Sequence, residues 1–187
     1  MTSSQDKLLA LFQQHQGLLR RQDVIDAGIH PRALTDLVKQ GQVERVQRGV
    51  YRLQASPGFA YDWLLEVSYR VPKGVVCLLS ALDFHDLTTF IPSDIHMAVP
   101  IGSHLPTFDY PSVQLHQFGE RIYAYGIESH CVGSGSIRVY SVEKTLADML
   151  RLQRRYGLTH FLEALKTYVT STHYHADRLL EAAEVCG

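Results

Sequence analysis

The strongest constraint lies between Arg21 and Leu53, where three glycines divide a short stretch of chain into four pieces of alternating character. Arg21–Ala27 reads as a short helix closed by Gly28. Pro31 then suits the first position of a further helix, where a missing N–H costs nothing. Leu34, Leu37 and Val38 form the apolar stripe of that helix, and Gly41 stops it. At 100° per residue, Arg32, Asp36, Lys39 and Gln40 point away from the stripe, with Thr35 on its flank. Two β-prone runs follow, Gln42–Val46 and Val50–Leu53, joined by Gln47-Arg48-Gly49, a glycine-containing hairpin signal. An amphipathic helix over Gln5–His15, built on Leu8, Leu11, Phe12 and His15 and ended by Gly17, precedes the whole. Helix, helix-turn-helix and hairpin in this order predict a winged helix-turn-helix.

Such a module puts its second helix in a major groove and its wing on phosphates or the minor groove. The candidate DNA-binding residues are therefore Arg21, Arg32, Thr35, Lys39, Gln40, Arg45, Arg48 and Arg52. Arg32, Thr35, Lys39 and Gln40 are expected at base edges, and Arg45, Arg48 and Arg52 at phosphates. Asp36 runs against this, since a carboxylate repels phosphate unless it reads a cytosine amino group or pairs with Arg32 or Lys39. The alternative is a protein- or RNA-interaction module whose wing arginines are merely solvated.

Whole-chain charge argues against nucleic acid, with 18 Lys+Arg against 19 Asp+Glu and a net charge of −1. The average hides a split. Residues 1–56 hold eight bases and five acids, +3, while residues 57–187 hold ten and fourteen, −4. Such asymmetry points to a nucleic-acid module joined to a different body. The breaker Ala55-Ser56-Pro57-Gly58 marks the boundary, giving a DNA-binding domain at 1–56 and a second domain at 57–187.

In the second part, helices are expected over Tyr61–Arg70 and Val75–His85, the latter because the run is long and apolar. Strands follow at Ile95–Val99, Val113–Phe118, Ile127–Val132 and Ile137–Tyr140, the last two as a hairpin around Gly133-Ser134-Gly135. Ser141 caps a helix running to Tyr156 with Glu143 in its first turn. Helices at about 158–170 and 175–185 close the chain. The fold class is thus α+β: a winged helix-turn-helix, then an α+β domain with a mixed or antiparallel sheet and terminal helices.

Two sets of residues resemble a known family. Leu18-Leu19-Arg20-Arg21-Gln22-Asp23-Val24, Ala27-Gly28-Ile29, Leu37-Val38-Lys39-Gln40-Gly41 and Glu44 to Tyr51 resemble the N-terminal module of the AbiEi abortive-infection antitoxins. The wing's Arg48-Gly49-x-Tyr51 is the most specific piece. Val139 to Asp148, with Lys144-Thr145-x-Ala147-Asp148, looks like a second segment of that family. Gly157, Glu163-Ala164-Leu165, Ser80-Ala81-Leu82, His85-Asp86-Leu87 and Ile91-Pro92 extend the resemblance in colinear order. It implies a transcriptional regulator that binds inverted repeats in its own promoter, as a monomer or weak dimer on double-stranded DNA. It also implies an antitoxin countering a nucleotidyltransferase-like toxin without a tight complex, a type IV system.

Lys144, Asp148, Arg151 and Arg155 recur at i, i+4, i+7 and i+11. They read first as a solvated face, and second as a contact surface for a partner or nucleic acid.

No catalytic residue, metal site or cofactor is expected. His173 and His175 lack a Cys or carboxylate at zinc spacing. Residues 57–187 contain no Asp/Glu-x-Lys or Gln-x-Lys pattern of the kind that accompanies magnesium-dependent nucleases. His85 reads as a satisfied helix-end histidine. With 45% hydrophobic and 20% charged residues the composition is globular. It excludes a disordered tail, a collagen-like fibre and a coiled coil. Three scattered cysteines, no secretory signal at Met1–Lys7 and no run of about 18 apolar residues lead to the expectation of a reduced, cytoplasmic protein with no membrane partner.

Overall fold

A computed structural model describes residues 4–15, 17–54, 61–108, 110–132 and 135–187. The breaker at 55–58 and the turn residues Gly133 and Ser134 lie outside the described residues. The chain forms two compact units, Met1–Tyr69 together with Cys131–Ser136, and Arg70–His130 together with Ile137–Gly187.

The first unit begins with α1 (Ser4–Gln14), β1 (Leu18–Arg20), α2 (Arg21–Asp26), α3 (Arg32–Lys39), β2 (Val43–Gln47) and β3 (Val50–Leu53). β1 is an addition to the sequence expectation. Its three residues pair antiparallel with β3, which also pairs with β2, giving the order β1-β3-β2. Leu8 and Phe12 of α1, Val24 of α2, Leu34 and Leu37 of α3, and Val43 of β2 share one buried core. Leu8, Phe12, Leu34 and Leu37 are each at most 1% exposed, so burial of each contributes roughly 1.5–3 kcal/mol. The helical stripe read from the sequence is the stripe that packs.

Next come α4 (Asp62–Arg70), β4 (Val75–Val76), α5 (Leu78–Phe84), β5 (Ile95–Pro100), β6 (Val113–Phe118), α6 (Glu120–Ala124), β7 (Ile127–Val132) and β8 (Gly135–Tyr140). The chain ends with α7 (Val142–Arg151), α8 (Gln153–Tyr156), α9 (Leu158–Val169) and α10 (Ala176–Cys186). The apolar run from Val75 is not one helix. Its first two residues form β4, antiparallel to β5 and parallel to β8, in the middle of a five-stranded sheet ordered β6-β5-β4-β8-β7. β5 and β6 are parallel, so the sheet is mixed. The fold is α+β.

Seven consecutive residues of α7, Glu143 to Met149, are buried, because the helix packs against α5, α9 and α10. Ser141 caps it, its Oγ accepting the Lys144 N–H at 3.3 Å. Gly126 makes a close approach there: a Cβ on it would lie 2.7 Å from Lys144 Cβ, and its φ is +70°. Among the described residues no helix is long and apolar enough to cross a membrane.

Candidate nucleic-acid interface

In α3 the side chains that pack and those that face outward separate cleanly. Ala33, Leu34 and Leu37 are buried, whereas Arg32, Thr35, Lys39 and Gln40 are exposed. This is the angular separation that their spacing predicts. A hollow of about 430 Å3 opens beside the helix, lined by Arg21, Arg32, Thr35, Asp36, Lys39 and Tyr51 among others. The Arg21 backbone N–H donates to the Gly49 carbonyl at 2.7 Å, tying the start of α2 to the wing turn. Gly49 holds φ +84°, a left-handed turn that glycine adopts without strain. Exposed Arg48 sits beside it.

The wing arginines do not share one face. Cα partners in the β2–β3 ladder are Glu44↔Arg52 and Arg45↔Tyr51. Directly opposed residues share a face and neighbours along a strand alternate. Arg45 therefore stands beside Tyr51, which lines the hollow, and Arg52 stands beside Glu44 on the other face. Arg52 pairs with Glu66 of α4 and lies 3.5 Å from Glu44. Two carboxylates thus flank the guanidinium, unlike that of exposed Arg48. Arg20 is similarly engaged, its Nη2–H and backbone N–H donating to the Asp23 carboxylate at 2.8 and 2.7 Å. Its guanidinium lies 5.3 Å from the Tyr69 ring centroid.

The charged series on α7 and α8 is not one solvated stripe. Lys144 and Asp148 are 0% exposed and pair at 2.6 Å. Arg151, a quarter exposed at its side chain, reaches Asp148 Oδ1 at 2.8 Å. Lys144 Nζ lies 4.7 Å from the Tyr140 ring centroid and 5.2 Å from that of Phe118. The set is thus an internal ion-pair cluster walled by aromatic rings, and only Arg155 is exposed. The i, i+4 spacing is real. The expectation of solvent failed because α5, α9 and α10 cover α7 from Glu143 to Met149.

His173 and His175 are exposed between α9 and α10, and among the described residues no group of three or more His, Cys, Asp or Glu could hold a metal ion. His85 Nε2 lies 2.7 Å from the Tyr140 carbonyl, at the end of α5, and burial lowers its pKa. A pair that the sequence reading overlooked lies on β5 and β6. His96 Nδ1 and His116 Nε2 are 3.0 Å apart, with rings nearly parallel and both residues buried. Twenty residues of sequence separation leave no local signal for it; only the parallel pairing of β5 and β6 brings the rings together.

No curated protein matches the chain. A family model does match, over residues 6–54, the stretch that carries α1 to β3 and the outward face of α3. That family is described as a transcriptional regulator, the AbiEi antitoxin, and in residues 6–54 this chain is similar to it.

Proposed function

We propose that the protein is a sequence-specific DNA-binding transcriptional regulator that represses its own promoter and serves as the antitoxin of a type IV, phage-defence toxin–antitoxin system in the cytoplasm. The observation that carries this reading is the face of α3, where Arg32, Thr35, Lys39 and Gln40 are exposed beside the wing and none is spent on packing. In the proposed complex α3 enters the major groove. Arg32, Thr35, Lys39 and Gln40 meet base edges, and Arg21, Arg45 and Arg48 meet phosphates. Asp36, which lines the same hollow, accepts a cytosine amino group. Residues 1–56 supply this contact, and residues 57–187 serve antitoxicity toward a nucleotidyltransferase-like toxin without a tight complex. The family match over 6–54 and the positive charge of that part of the chain support the DNA reading.

The test is a gel shift with the DNA immediately upstream of the protein's own gene. Wild-type protein should bind it in preference to unrelated DNA. Arg32→Ala should lose about 1–3 kcal/mol and relax specificity at one base pair. Wild-type binding by both Arg32→Ala and Lys39→Ala proteins would place the groove contact elsewhere.

A further inference from the structure

A second hollow of about 430 Å3 belongs to the unit that starts at Arg70. It is lined by Arg70, Val71, Lys73, Val99, Ser103 and His104, with further glycine and proline positions. Its size falls within the roughly 300–1,000 Å3 of small-molecule sites. It opens where Val99 ends the buried part of β5 and the chain turns into the segment from Ile101. That is the carboxyl end of one strand of the parallel β5–β6 pair, a recurrent place for ligands in sheets with parallel strands.

Chemically the lining is one-sided. Among the described residues none that lines it is acidic, whereas an arginine, an exposed lysine and an exposed histidine all do. Val71, Val99 and two prolines supply apolar wall. The Arg70 guanidinium is already engaged, donating from Nη2 to the Thr107 carbonyl at 2.8 Å and lying 3.9 Å from the Phe108 ring centroid. It therefore contributes positive charge but offers less of the planar fork that grips carboxylates in pairs. The Lys73 ammonium, the Ser103 hydroxyl and the His104 ring remain as separate donors from two chain segments. Point donors of that kind suit a tetrahedral oxyanion.

We propose that this hollow binds a small organic phosphate monoester, its phosphate toward Lys73, Ser103 and His104 and its compact apolar or planar body against Val71 and Val99. The site is separate in sequence and composition from the α3 surface, and its occupancy is not part of the DNA reading.

The experiment titrates the full chain with phenyl phosphate and with adenosine 5′-monophosphate, followed by calorimetry and backbone amide shifts; inorganic phosphate is the head-only arm. Expected are one-site saturation by at least one of the two esters and weaker binding of phosphate alone. Amide changes should centre on 70–73 and 99–106. Lys73→Glu should weaken the ester about tenfold or more, and Arg32→Glu should leave it unchanged. Lys73 and His104 are exposed, so charge reversal at either should leave the melting temperature near wild type. His104→Glu provides the second reading should Lys73→Glu unfold. No saturation by either ester would overturn the proposal, as would binding insensitive to both reversals or amide changes centred on 32–40.

Discussion

Arg48 and Arg52 are four residues apart, one at the wing turn and exposed, the other held between Glu66 and Glu44 on the sheet face away from Tyr51. Their alanine variants should therefore diverge. Arg48→Ala should leave unfolding unchanged, weaken binding to all DNA sequences alike and flatten the salt dependence by about one unit. Arg52→Ala should lower stability by about 0.2–1 kcal/mol through the lost ion pairs, with the salt dependence intact. Urea unfolding and fluorescence anisotropy across salt would separate the two. The same logic applies to α7. Lys144→Met strands the Asp148 carboxylate in a buried site, where loss of one partner costs about 3–5 kcal/mol. Because Arg151 still reaches Asp148, the lower end is expected. Arg151→Glu should also lower the melting temperature, whereas exposed Arg155→Glu should shift stability by no more than about 0.5 kcal/mol.

β5 and β6 bring His96 and His116 together in a buried, nearly stacked pair. One ring donates and the other accepts, so the contact survives protonation of the donor ring and is lost when both rings are charged. Burial lowers both groups to about 4; for His96 the Asp94 charge partly opposes it, and for His116 the charge on His96 adds to it. In an unfolded chain each would titrate near 6.5. Between those values the unfolded state binds protons that the folded state does not. Stability is therefore complete above about pH 6.5 and falls as the pH drops toward 4, by up to ~1.4 kcal/mol per pH unit for each histidine. Denaturant unfolding at a series of pH values should show this slope, and His116→Phe should flatten it. A slope unchanged in that variant would assign the acid sensitivity to other groups.

At the scale of the whole molecule, the proposed complex uses few charges. In it, one copy brings Arg21, Arg32, Lys39, Arg45 and Arg48 to the DNA. If each neutralises one phosphate, the slope of log K against log salt should be no steeper than about −4.5 per copy. A steeper slope in anisotropy titrations would bring bases of the acidic part of the chain into the contact. Tight operator binding should then depend on two copies over a repeat. Changing the separation of the half-sites by half a turn, about 5 base pairs, should weaken binding sharply, and restoring a full turn of about 10 should recover it.

What the sequence determined by itself was local. Residue spacing at 100° per position separates Leu34 and Leu37 from Arg32, Thr35 and Lys39, and a glycine before Val50 turns the hairpin. The Ser141 cap is likewise written within four residues. These features rest on backbone geometry and short-range pattern, so they survive without knowledge of the rest of the chain. Tertiary structure decided everything that depends on what lies opposite. It made Val75–Val76 a central strand by giving it partners at Met97, Ala98 and Val139. It set Arg45 and Arg52 on different faces through one register, turned Lys144 and Asp148 inward by covering α7, and joined two histidines twenty residues apart. Burial is a property of the neighbours that long-range folding supplies, and a charge carries the same spacing whether water or an aromatic ring lies above it.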